Sequence, residues 1–217
     1  MVDPPRMRRL EKKTLSPEQA RVFLSAVAGD RFEALYVLAV TTGMRQGELF
    51  ALKWSDVDVE SATLQVRGTL QRTVTGLVIS EPKTAHSRRS IAHSALAVDA
   101  LRPHRVRQAE ERLALGSAWE DCGLVFCNTI GKPRDAISFL RREYWPMLTR
   151  VGLPRMRFYD LRHTAATLLL RQGIHPKVVA EMLGHSTISI TLDMYSHVMP
   201  DLQREASAAM DRLIRDQ

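Results

Sequence analysis

Between Ser16 and Leu52 the apolar positions fall three and four residues apart, the spacing that gives a helix one buried stripe. Ser16-Pro17-Glu18-Gln19 announces the first helix: an N-cap hydroxyl, a proline at the first helical position and a glutamine that closes a capping box, followed by Val22, Phe23, Ala26 and Val27. Phe32, Leu35, Tyr36, Leu38 and Ala39 predict a second helix over 31–42 that stops at Gly43. A short third helix runs from about Arg45 to about Leu52. The texture then changes to β-branched residues and turn formers, predicting strands at 62–67, 71–75, 77–80 and 89–91 in one small antiparallel sheet, with Gly76 and the Glu81-Pro82 break between them.

Helical spacing returns over 94–115, where Pro103 must end or kink the helix, and over 135–151, which Pro146 should kink or divide. A helix over 160–172 stops at Gly173, and short helices follow at 176–183, 188–197 and 202–214. Residues 124–127 read as a short strand and Gly131-Lys132-Pro133 as a turn. The predicted fold class is mainly α with a small antiparallel β-sheet (α+β), without internal repeats. Residues 1–14, with Pro4, Pro5, Arg6, Arg8, Arg9, Lys12 and Lys13, read as a linker or N-terminal arm. The folded domain is expected over 15–198 and a helical tail over 199–217.

Composition changes this picture little. Of 217 residues, 45% are hydrophobic and 25% charged, which excludes disorder along the whole length and low-complexity architecture. No apolar run approaches the roughly 18–20 residues of a membrane span, and no apolar segment follows the basic opening as in a secretory signal, so a cytoplasmic location is expected. Cys122 and Cys127 alone fit neither a disulfide framework nor a zinc site, so no metal is expected. The net charge of +7 raises the expectation of a polyanionic partner, because Lys and Arg gain affinity by releasing counterions from phosphates. Charge alone does not choose between DNA, RNA and a soluble surface.

Four segments carry the chemistry: Thr42-Gly43-Met44-Arg45-Gln46-Gly47-Glu48-Leu49, Pro82-Lys83-Thr84, Asp160-Leu161-Arg162-His163-Thr164-Ala165-Ala166-Thr167, and Leu183-Gly184-His185-Ser186 leading to Tyr195. Singly each is weak. Arg45 alone would read as a surface arginine in a capping turn, His185 as structural and Tyr195 as core. In this order and spacing they resemble the catalytic domain of the tyrosine recombinases, the phage integrase family, from about Leu15 to Tyr195.

The resemblance implies a site-specific recombinase, in which Tyr195 attacks a DNA phosphodiester to give a 3′-phosphotyrosyl link and a free 5′-hydroxyl. Bond energy is kept, so no cofactor is needed. Two arginines suit a transition state with extra charge on its non-bridging oxygens, because guanidinium forks bind such oxygens bidentately and stay charged; Arg45 and Arg162 fit. Glu48, three residues after Arg45, is placed to brace it. The resemblance makes Lys83 the general acid toward the leaving oxygen and His185 a hydrogen-bond donor to the scissile phosphate. Arg88 and Arg89 read as phosphate-steering charges in DNA binding. One departure stands out. Where the family has a histidine three residues before the second arginine, this chain has Tyr159, a poor base at neutral pH with a reference pKa near 10, so slower cleavage is expected. His163 points about 100° away from its helical neighbour and reads as a packing or capping histidine, buried with a hydrogen-bond partner.

The implied partner is double-stranded DNA, with a tetramer on DNA for a full-length protein and a monomer for an isolated domain. The family's N-terminal helical domain has no counterpart here, and the linker-like 2–13 favour a fragment. The tail stripe of Leu202, Ala206, Ala209, Met210, Leu213 and Ile214 docks either on its own domain or on a neighbour. The competing activities are a type IB topoisomerase-like nicking and closing enzyme and a non-catalytic DNA-binding relative.

Overall fold

A computed structural model describes residues 13–81, 88–195 and 202–215, with side chains outside 193–206 and 209. Ten helices are described: α1 (Pro17–Ala26), α2 (Glu33–Thr42), α3 (Gln46–Ala51), α4 (Ala95–Leu115), α5 (Ala136–Phe139), α6 (Trp145–Arg150), α7 (Tyr159–Arg171), α8 (Pro176–Leu183), α9 (Ile188–Tyr195) and α10 (Leu202–Arg215). Five strands lie between α3 and α4: β1 (Val57–Asp58), β2 (Thr63–Val66), β3 (Thr69–Thr73), β4 (Gly76–Ser80) and β5 (Arg89–Ala92).

The capping box before α1 forms as expected, Ser16 Oγ accepting from the Gln19 amide at 3.1 Å and the Gln19 side chain accepting from the Ser16 amide at 2.9 Å. Helix α2 is buried on every side because α1, α4 and α7 all pack on it, which explains its run of seven apolar residues, Ala34 to Val40. Tyr36 at its centre meets Phe23 edge-on at 5.3 Å and is flanked by Phe139, Tyr144 and Phe158. Such aromatic pairs add roughly 0.5–1.5 kcal/mol each beyond the area they bury.

The strands form two sheets rather than one. β2 lies between β1 and β5, pairing Val66 with Arg89, while β3 and β4 close on each other as a separate hairpin. The chain leaves the first sheet at Gly68, packed so closely that a Cβ there would stand 3.1 Å from Ile79. Helix α3 covers β3 in turn, and Gly47 permits it: a Cβ at Gly47 would lie 2.6 Å from Thr69 Oγ1 and 2.9 Å from the Leu70 carbonyl.

Two other local expectations change, and the division of 135–151 holds. Helix α4 runs through Pro103 without ending, because Pro103 and Asp99, whose carbonyl loses its partner, are both on the exposed face where water satisfies it. The 135–151 stretch divides as expected, into α5 and α6 around a π-helical turn at Leu140–Tyr144, with Pro146 in the first turn of α6, where no amide is required. Residues 124–127 form bridges only, Leu124 with Lys53 and Cys127 with Pro133, and the Val125 amide docks on the Leu52 carbonyl. Among the described residues no helix is long and apolar enough to cross a membrane.

Candidate active site

Gly43 ends α2 in the left-handed conformation, φ 63°, and turns the chain so that Arg45 becomes the N-cap of α3. The Arg45 guanidinium donates to Glu48 Oε1 at 2.7 Å and, through Nη2, to the Gly184 carbonyl at 3.3 Å; its backbone amide donates to Glu48 Oε2 at 2.9 Å. Gly184 is itself a left-handed helix stop, φ 68°, at the end of α8, and His185 follows it. Arg162, on the first turn of α7, is 2% exposed and donates Nη1 to the Gly43 carbonyl at 2.8 Å. Each glycine stop thus offers its carbonyl to the arginine of another motif, and these two long-range bonds draw three distant segments into one pocket.

The charges in that pocket do not cancel. Nη2 of Arg162 is buried with no hydrogen-bond partner among the described residues. Burial, and then the positive charge of Arg45, pull the Arg162 guanidinium down to about 10. Burial would raise the pKa of Glu48, but hydrogen bonds and charge from Arg89, reinforced by Arg45, hold it below the usual carboxylate range. His185 is half-buried, with Nδ1 2.7 Å from Thr191 Oγ1, and burial followed by Arg162 and Arg45 pulls it down to about 4, so the ring is neutral at physiological pH. A pocket of this kind, with fixed donors and excess positive charge partly shielded from solvent, is organised to receive an anion.

The other expected residues are placed as follows. Tyr159 opens α7, is 42% exposed, and meets His163 edge-on at 5.1 Å. His163 is buried at 5%, as read from the sequence, and has a partner. Lys83 lies outside the described residues. Tyr195 is the last residue of α9, and its side chain is likewise outside them. Arg88 is exposed and paired with Glu81.

Arg89 departs from the expectation of an exposed steering charge. Its side chain is only 7% exposed, donates to both oxygens of Glu48 at 3.2 and 2.9 Å, and donates Nε to the Met182 carbonyl at 2.6 Å. It is a second brace on Glu48, binding β5 to α3 and α8. The signal was in the alternation of β5, since residues two apart on a strand share a face and Arg89 shares its face with buried Ile91. Thr191, fully buried against His185, was not singled out, and only its periodicity on α9 hints at burial. Among the described residues no three His, Cys, Asp or Glu side chains are grouped as metal ligands would be.

Comparison with known proteins places this geometry. A tyrosine recombinase XerC-like protein of Caldanaerobacter subterraneus subsp. tengcongensis is 37% identical over 94% of this chain and 55% of its own length. An integrase of Streptomyces ambofaciens is 31% identical over 94% of this chain and 54% of its own. The chain therefore spans about half the length of the curated relatives it matches. Among solved structures, the Tn1549 transposon integrase in complex with circular intermediate DNA superposes with a TM-score of 0.75 at 28% identity, over 94% of this chain and 68% of that one. The family model described as "Phage integrase family" matches residues 13–201, a span that holds Arg45, Glu48, Arg89, Arg162 and His185 together, and the chain belongs to that family, the tyrosine recombinases.

Proposed function

We propose that this chain is the catalytic part of a site-specific DNA recombinase that cuts and rejoins strands through a 3′-phosphotyrosyl intermediate. The observation that carries the reading is the buried Arg162 guanidinium, which among the described residues has no carboxylate partner and one nitrogen unbonded, in a pocket shared with Arg45 and His185. Such a group is costly to hold unless an anion completes it. A phosphodiester does so: its non-bridging oxygens take the Arg162 Nη2 donor, Arg45 and the His185 ring. The Tn1549 integrase, solved on DNA, supports DNA as the anion.

In the proposed reaction the Tyr195 oxygen attacks phosphorus and the bond to the 5′-oxygen breaks. Lys83 supplies a proton to the departing 5′-oxygen, which leaves as the hydroxyl, and the tyrosine proton passes to water or to the phosphate, because Tyr159 is a poor acceptor. Attack by another strand's 5′-hydroxyl on the phosphotyrosine reverses the step with no external energy. Arg45 and Arg162 stabilise the charge that builds on the phosphorane oxygens, and Glu48, held by Arg45 and Arg89, keeps Arg45 in place. Arg88 steers DNA toward the pocket. For a longer protein we propose a tetramer on double-stranded DNA, with α10 docking on a neighbour; Met210, Leu213 and Ile214 of α10, 55%, 73% and 68% exposed, support it.

The test is incubation with a nicked suicide duplex, followed by a denaturing gel. The expected result is a covalent adduct at the 3′ end that Tyr195→Phe abolishes. Binding without adduct would mean a DNA-binding relative, and relaxation of supercoils without strand exchange would mean a topoisomerase.

A further inference from the structure

Thr191 is 0% exposed and its hydroxyl lies 2.7 Å from Nδ1 of His185. A hydroxyl beside a ring nitrogen either donates to it or accepts from it, and the rest of the hydroxyl's surroundings decide which. The buried helical threonines Thr42 and Thr164 donate to the carbonyl four residues back, at 2.6 and 3.0 Å. Thr191 makes no such bond to Thr187: among the described residues the His185 ring is its hydrogen-bond partner. Were Thr191 to accept from an Nδ1–H, its own hydrogen would be left buried without an acceptor, which costs the full desolvation of the group. The arrangement that satisfies both groups has Thr191 donating and Nδ1 accepting.

We propose that Thr191 is a positioning residue that holds His185 in the tautomer with its proton on Nε2. The ring then presents a donor, not a base, toward the pocket. The tautomer matters because His185 is neutral there, held so by burial and by Arg162 and Arg45. It follows that His185 does not take the proton of the attacking tyrosine, even though Tyr159 leaves that proton without a side-chain acceptor. The role in catalysis rests on the recombinase reading given above; the tautomer does not.

Two measurements separate these. Long-range proton–nitrogen NMR of the DNA-free chain at pH 7.5 reads the tautomer directly. His185 is expected with Nε2 protonated; Thr191→Val should give a mixture of tautomers, and Thr191→Ser should restore the single form. On the suicide duplex, Thr191→Val should form adduct about tenfold more slowly, as for loss of one buried hydrogen bond, and Thr191→Ser should recover the rate. An Nδ1-protonated ring in the unaltered chain, or a spectrum that Thr191→Val leaves unchanged, would overturn the proposal. An Nε2-protonated ring in a chain that forms no adduct would uphold the assignment while removing the recombinase reading.

Discussion

The aromatic cluster around Tyr36 and the buried Arg162 guanidinium with its neighbours are built on opposite terms. In the cluster, Tyr36, Phe139, Tyr144 and Phe158 fill space against one another, and the Tyr144 hydroxyl donates to the Arg157 carbonyl. In the pocket, Arg45 and Arg89 share one buried carboxylate, Glu48, and a third arginine, Arg162, has a guanidinium nitrogen with no partner among the described residues. The cluster holds the fold together; the pocket is a cost that the fold carries until an anion arrives. Mutations should therefore separate stability from chemistry.

The largest loss of stability belongs to the cluster. Phe139→Ala should lower unfolding free energy by about 3–5 kcal/mol, measured by urea denaturation, since it opens a cavity between Phe32, Tyr36, Phe50 and Phe158. Arg162→Met should do the reverse: adduct formation falls by roughly 10²–10³-fold while the melting temperature holds or rises, because a buried unpaired charge has been replaced by an apolar chain of similar length. A melting temperature that drops as far as that of Phe139→Ala would break the comparison.

Glu48→Gln sharpens it, because Glu48 is the one pocket residue expected to stabilise. Removing its charge takes the carboxylate away from Arg89 and Arg45, at a cost of about 3 kcal/mol at neutral pH. The pH dependence has a definite sign. A carboxylate whose folded pKa lies below its ordinary value of 4.5 contributes fully above that value and loses its contribution as pH falls through the lower folded one. The stability gap between the unaltered chain and Glu48→Gln should therefore close in acid. The smallest effect is expected at Arg88→Ala, whose exposed pair with Glu81 should be worth under about 0.5 kcal/mol, leaving only weaker DNA binding at low salt. A large stability loss there would contradict the division between surface charge and pocket.

Local chemistry was readable in the chain. The Ser16 capping box, the glycine stops at 43 and 184 and the Arg45–Glu48 brace each involve residues within a few positions, where one turn of backbone geometry decides the outcome. The missed features depend on what meets across the fold. β2 skips the intervening hairpin to pair with β5, so two sheets replace the expected one. Pro103 is tolerated because its helix face is solvated, and exposure is a property of the packed molecule. Arg89 was read by its charge and by its nearness to Arg88, when the alternation with Ile91 already placed it indoors. The ties from Arg162 to Gly43 and from Arg45 to Gly184 span more than 100 residues each, and no local pattern announces them.

The central claim is that the unpaired nitrogen of buried Arg162 exists to take the charge of a scissile phosphate. The direct test compares adduct formation by the unaltered chain and Arg162→Met on two suicide duplexes, one with a normal phosphate at the cleavage position and one with an uncharged methylphosphonate there. A charge-stabilising arginine predicts a defect of roughly 10²–10³-fold on the phosphate and a much smaller one on the methylphosphonate, a coupling between residue and charge. Equal defects on both duplexes would show that Arg162 serves the fold or DNA positioning and would contradict the account.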